Sequence, residues 1–151
     1  MERSGYLLFA LALGHAVLTW EPAATLAVFL GGIALTFPAE AVFVRAGLLE
    51  HHTGPRVAGV PLPVLAAWPA VVYVFLRAAA LVAGLTLEAA ALAAVAATMF
   101  DAAVDPEGVR EGRWSYPPSP FSEPRFRGVP WWNFVGWLLL VGAVGALAVL
   151  A

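Results

Sequence analysis

Asp101 and Asp105 stand four residues apart at the end of a long apolar stretch. That spacing places both carboxylates on one face of a helix, one turn apart. A polar loop follows them, and then Gly128-Val129-Pro130-Trp131-Trp132-Asn133, so two acids at a helix end face a segment rich in tryptophan and arginine. Carboxylates placed in this way could give, take or relay a proton. The plain alternative is a pair of solvated acids at a helix terminus. Asp101 lies nearly a turn deeper and suits that alternative less, because ionisable groups inside a membrane are usually paired or functional. Glu40 supplies a third carboxylate beside Pro38, where a missing backbone donor should kink or break the helix. Glu40 and Arg45 are five residues apart, which does not guarantee a pair. The run Glu50-His51-His52 raises metal binding, but adjacent residues on a regular element point apart and no His-x3-His spacing occurs, so no metal is expected. His15, inside an apolar stretch, reads as a hydrogen-bonded structural histidine. Arg77, deep in another, must snorkel, pair or face a polar cavity.

The elements that position these groups belong to a membrane. The chain has 151 residues, 62% hydrophobic and 12% charged, against about 25% charged in ordinary soluble domains. Its mean hydropathy is +0.84. An all-α integral membrane protein of one domain, residues 1–151, follows, with five transmembrane helices at about 4–20, 23–46, 64–87, 88–105 and 131–151. Pro106 predicts a helix stop at Asp105. The first apolar stretch lacks a clear cleavage site and reads as a retained helix. Ala89–Ala97 and the pair Gly142/Ala146 permit close helix contacts. Two long loops join the helices. One is punctuated by glycine and proline; the other interleaves Arg110, Arg113, Arg125 and Arg127 with acids and carries Trp114, Tyr116, Phe121 and Phe126. All eight basic residues are arginine, and seven of them fall on one side if the N-terminus is cytoplasmic. The positive-inside rule then puts the loops in the cytoplasm and the C-terminus outside the cytoplasmic membrane of a prokaryote. With no cysteine, disulfides, thiolate nucleophiles and cysteine metal sites are excluded. The net charge of −2 argues neither for nor against any partner; the lack of a basic patch outside the loops argues against nucleic acid.

Four motifs occur in order: Gly54-Pro-Arg-Val-Ala-Gly-Val-Pro-Leu-Pro63 followed by Ala67-Trp68; Asp101-x3-Asp105-Pro106; Gly112-x-Trp114-x-Tyr116; and Gly128-x-Pro130-x2-Asn133-Phe134-x-Gly136-Trp137. Together they resemble the membrane-bound carotenoid hydratases, a family that includes γ-carotene 1′-hydratases and bisanhydrobacterioruberin hydratases, over about residues 40–137. The resemblance implies hydration of the terminal C1,2 double bond of an acyclic carotenoid ψ end group to a tertiary alcohol. Members of that family are longer, which implies an oligomer or a partner subunit supplying further helices. Protonating a trisubstituted alkene creates a tertiary carbocation, and a carboxylic acid kept neutral by its surroundings is a suitable donor. Asp101 fits the donor role by depth, and Asp105 or Glu40 could orient the water. Aromatic faces stabilise a cation. Trp114, Trp131 and Trp132, with Trp68 and Asn133, are the expected substrate contacts. This chemistry calls for no redox cofactor or metal.

Two other functions fit the same composition. One is a non-catalytic carotenoid-binding or scaffold subunit, separated from the enzyme by whether Asp101 and Asp105 line a cavity or a solvated rim. The other is a small transporter or proton channel using Glu40, Arg77 and Asp101, which requires a continuous polar path.

Overall fold

The computed structural model describes residues 2–119 and 123–151; Phe121 and the side chain of Arg3 lie outside the described part. The chain is 73% helical. Its helices are α1 (Glu2–Thr19), α2 (Pro22–Arg45), α3 (Leu62–Ala83), α4 (Leu87–Arg110) and α5 (Trp131–Leu150). Of these, α2 to α5 are long and apolar enough to cross a membrane. α1, the first of the five expected spans, is apolar but shorter, and it packs along α3.

Neither Pro38 nor Pro106 ends its helix. α2 makes one π turn at Ala27–Gly31 and then runs as an α-helix through Pro38 to Arg45. α4 continues past Pro106 to Arg110 rather than stopping at Asp105. Proline removes one ladder hydrogen bond, and packing against neighbouring helices tolerates that loss inside a membrane. At Pro106 there is also a specific restraint. The preceding residue, Asp105, is held by three side-chain donors from other elements, which keep it in the helical conformation that proline disfavours.

Among the described residues, six two-residue strands stand in the loops: β1 (Glu50–His51), β2 (Arg56–Val57), β3 (Val60–Pro61), β4 (Trp114–Ser115), β5 (Arg125–Phe126) and β6 (Val129–Pro130). β2–β3 and β5–β6 are the same hairpin built twice from Arg-x-x-Gly-Val-Pro. Arg56 faces Pro61 as Arg125 faces Pro130. Both turns need two successive residues at positive φ, and Ala58 (50°) with Gly59 (84°) matches Arg127 (52°) with Gly128 (94°). Each hairpin delivers the chain into a helix whose first amide returns to the proline before the arginine: Leu62 to Pro55 and Trp131 to Pro124.

The match extends to whole halves of the molecule. Gly47 (φ 69°) follows α2 as Gly112 (φ 67°) follows α4, with the same backbone bonds, Leu48 to Phe43 and Arg113 to Gly108. The buried stripe Val28, Gly32, Thr36, leading to Glu40, corresponds to Ala93, Ala97, Asp101, Asp105. In α3 and α5 the buried residues Val72 and Leu76 correspond to Val141 and Gly145. Equivalent residues also meet. Glu50 pairs with Ser115 across β1–β4, and Trp68 stacks on Trp137 at 3.9 Å between ring centroids. Contacts between equivalent positions are what a two-fold axis running between the halves produces. The chain is therefore a duplicated helix–hairpin–helix unit, with both hairpins at one end of the bundle. Ser4 and Gly5 of α1 lie at that end too, beside Pro63, and a Cβ at Gly5 would strike the Pro63 carbonyl.

The core above the tryptophan stack is made of small and aliphatic residues. Ala90, Ala93, Ala94 and Ala97 of α4 meet Val141, Val144 and Ala148 of α5. A Cβ at Gly145 would sit 2.8 Å from the Ala90 Cβ, so the closest approach uses Gly145, with Gly142 beside Ala94. Lacking bulk, these positions let the two helices approach closely and carry the acid stripe of α4 to the hairpin end.

Candidate active site

The α4 stripe that buries Ala93 and Ala97 continues at the same spacing into Asp101 and Asp105, which are 6% and 4% exposed. Both line a cavity of about 480 Å³ at the hairpin end, and so does Glu40 from the equivalent turn of α2. The three carboxylates thus converge because duplicated stripes face one another across the axis. The cavity wall is polar where His51, Arg113, Trp114, Tyr116 and Asn133 join these acids. It is apolar along Val64, Val71, Phe100 and Val104, and the Trp68 and Trp137 rings form part of it. Phe100 is 45% exposed on the outer surface of the bundle, so the apolar side borders the membrane-facing surface.

Asp105 is saturated. Its Oδ1 accepts from Trp114 Nε1–H, and its Oδ2 accepts from the Tyr116 hydroxyl at 2.7 Å and from Asn133 Nδ2 at 2.8 Å. The Asn133 amide also donates to Asp101 Oδ2 at 2.9 Å, bridging the two acids from the first turn of α5. Asp101 Oδ1 has no hydrogen-bond partner among the described residues. One acid is therefore fully engaged as an acceptor, while the other keeps an oxygen for the cavity.

Tyr116 holds its hydroxyl hydrogen firmly. Burial, with the Asp105 carboxylate beside it, pushes the phenol far above its ordinary value, so it serves Asp105 as a donor. The Trp114 ring is set by Gly108, where any Cβ would collide with it, and by the Arg113 guanidinium 4.6 Å from its centroid. Arg125 fixes the strand end by donating to the Tyr116 carbonyl at 2.7 Å.

In the other half, Glu40 pairs with His51 rather than Arg45. His51 Nε2 lies 2.8 Å from Glu40 Oε2, and Trp68 Nε1 donates to Oε1 at 3.3 Å. Arg56 donates to the His51 carbonyl as Arg125 does to that of Tyr116. By the duplication, Glu40–His51 is the counterpart of Asp105–Tyr116. His51, which its spacing rejects as a metal ligand, is thus a residue of the cavity. Read as an internal repeat, the helix-end glycines Gly47 and Gly112 would have aligned it with Tyr116, whereas the second Arg-x-x-Gly-Val-Pro comes four residues later.

The tryptophans separate. Trp68 and Trp114 line the cavity. Trp132 stacks on Phe43 at 4.7 Å, meets the Tyr116 ring at 5.7 Å and donates to Glu123, supporting the site from behind. Trp131 is 51% exposed and points away. Successive residues at a helix start diverge by about 100°, so Trp131, Trp132 and Asn133 cannot share one target, and Asn133 is the one that reaches the acids. Among the described residues, no three His, Asp or Glu side chains gather as metal ligands. His15 bonds the Tyr73 hydroxyl at 2.6 Å, well away from this cavity, and Arg77 lies beside that pair in an apolar groove.

The model of one family, described as carotenoid biosynthesis protein, matches residues 5–151. No curated protein and no solved structure matches the chain.

Proposed function

Because the chain belongs to the carotenoid biosynthesis protein family, and is a membrane protein by its four long apolar helices, we propose that it hydrates the terminal double bond of an acyclic carotenoid end group. The observation that carries this reading is the pairing of unlike acids on one cavity. Asp105 is saturated with donors, and Asp101 beside it keeps an oxygen for the ligand. Asp101 is the general acid. It protonates the less substituted alkene carbon and leaves a tertiary cation, to which water adds. Asp105 and Asn133 position Asp101. Trp114 and Trp68 line the same cavity, and an aromatic face turned to the cation would contribute about 0.5–2 kcal/mol.

The apolar wall at Val71, Phe100 and Val104 suits a polyene that lies in the membrane with only its end group in the cavity. A pocket of this size falls within the roughly 300–1,000 Å³ range of small-molecule sites. Burial of both aspartates on a cavity wall favours catalysis over a scaffold role. The alanine and valine core beyond the tryptophan stack argues against a polar path through the bundle. The test is pigment analysis in a host that accumulates lycopene or bisanhydrobacterioruberin. The expected product is the tertiary alcohol, with Asp101→Asn lowering it by about 10²–10⁴-fold, the usual loss on removing a general acid. Alcohol at undiminished levels from that variant would remove Asp101 from the role. No alcohol from the unmodified protein with any acyclic carotenoid would favour the scaffold.

A further inference from the structure

The two equivalent pairs on the cavity differ in one respect. Tyr116 has a single polar atom, and its hydrogen is committed to Asp105. His51 has two nitrogens. Nε2 is engaged by Glu40 at 2.8 Å. Nδ1 is buried and has no hydrogen-bond partner among the described residues, although the histidine is only 5% exposed and lines the cavity. Glu40 also accepts from Trp68 Nε1–H, and with Glu40 as the acceptor on this side the ring hydrogen sits on Nε2 and the lone pair on Nδ1. A buried ring nitrogen left unpaired costs about 1–3 kcal/mol, and an O–H donor from a ligand would relieve that cost. The ring is also held in place. Glu40 from α2 grips its far nitrogen, the Trp114 edge meets it at 6.4 Å between centroids, and Arg56 bonds its carbonyl. Asp101 and Asp105 line the same cavity from α4.

We propose that His51, oriented by Glu40, is the base that takes the proton of the attacking water, an inference that rests on the hydration reading above. Asp101 gives its proton to the CH carbon of the terminal double bond. The π pair becomes the new C–H bond and leaves the cation on the dimethyl carbon. The water oxygen forms the C–O bond there, and one of its protons passes to His51 Nδ1. The tertiary alcohol, an Asp101 carboxylate and an imidazolium result. Return of the imidazolium proton to Asp101 through water restores both groups, and the net change is one water added. The duplicated fold has thus divided one reaction between its halves, with the acid on α4 and the base on the loop after α2. Asp105 and Glu40 are the positioning residues, one for each.

The experiment separates the two steps. Membranes containing the protein are incubated with lycopene in D2O, and both alcohol and deuterium in the recovered lycopene are measured by mass spectrometry. His51→Gln keeps an N–H for Glu40 but has no nitrogen that accepts a proton. Its alcohol should fall by about 10²–10⁴-fold, while deuterium still enters the recovered lycopene as the uncaptured cation loses a proton. Asp101→Asn should lose both signals. Alcohol at the wild-type level from His51→Gln overturns the proposal. Loss of both signals in His51→Gln at normal protein levels also overturns it, because His51 would then act before water capture. If His51→Gln does not accumulate, Glu40→Gln leaves the ring in place and should show the same split with an alcohol loss of up to about 10⁴-fold, the cost of amidating the carboxylate that orients a general-base histidine. Undiminished alcohol there overturns the proposal equally. Wild-type protein giving neither signal refutes the hydration reading itself, a result distinct from all of these.

Discussion

Replacing Asp105 should damage the fold more than any other single change at the cavity, and the damage should respond to a second substitution with a change of sign. Asp105→Ala strands the Trp114 N–H, the Tyr116 hydroxyl and one Asn133 N–H, drawn from β4, the segment after it and α5. A buried donor left without an acceptor costs about 1–3 kcal/mol. Asn133 keeps its bond to Asp101, and the volume left by the carboxyl can admit a water to serve one donor, so the sum falls near 3–6 kcal/mol. Against a total stability of about 5–15 kcal/mol, that is a large share. Tyr116→Phe is milder in the native background. It removes a donor and leaves Asp105 with two others, at a cost of about 1–2 kcal/mol. In the Asp105→Ala background, however, the same tyrosine change removes a stranded hydroxyl and should stabilise by about 1 kcal/mol. Thermal unfolding of the four proteins in one detergent, followed by circular dichroism, reads this cycle. Equal destabilisation by Tyr116→Phe in both backgrounds would refute Asp105 as the common acceptor.

Other consequences are simpler to read. Gly145→Val should loosen the α4–α5 contact by about 1–3 kcal/mol through overpacking, because its Cβ alone would come within 2.8 Å of Ala90; the melting temperature measures it. Trp68→Ala breaks the stack on Trp137 and should cost about 3–5 kcal/mol, whereas Trp68→Phe keeps a ring on Trp137, loses a long hydrogen bond to Glu40 and part of the packed volume, and should melt between wild type and Trp68→Ala. Tyr116 makes stability fall at alkaline pH. Below the ordinary phenol value of roughly 10 both folded and unfolded states hold the proton, and above it only the unfolded state releases it, so stability declines until the raised folded value is reached. Tyr116→Phe should flatten that decline in a pH series of melts. Finally, α1 begins and α5 starts at the hairpin end, so reporter fusions should place the two termini on opposite sides, with the arginine-bearing loops in the cytoplasm.

Much of this molecule is local in origin. Apolar runs of membrane length, acids spaced by one helical turn and turn-forming glycines depend only on neighbouring residues. They made the all-α membrane class, the shared face of Asp101 and Asp105, and the loop positions of Trp114 and Tyr116 legible in the chain. Even the duplication was written there, as Arg-x-x-Gly-Val-Pro at 56–61 and 125–130. What the tertiary structure decided is which polar groups meet. Pro38 and Pro106 look like helix ends locally, but packing and the three donors on Asp105 carry both helices onward. Glu40 takes His51 rather than Arg45, because a hairpin, not a helix turn, brings its partner back. Three successive residues at the start of α5 take three directions, and only Asn133 turns to the acids. Periodicity sets the face a residue presents, whereas a buried polar group's partner depends on what distant elements bring to that face. Here a two-fold axis between the halves made that choice.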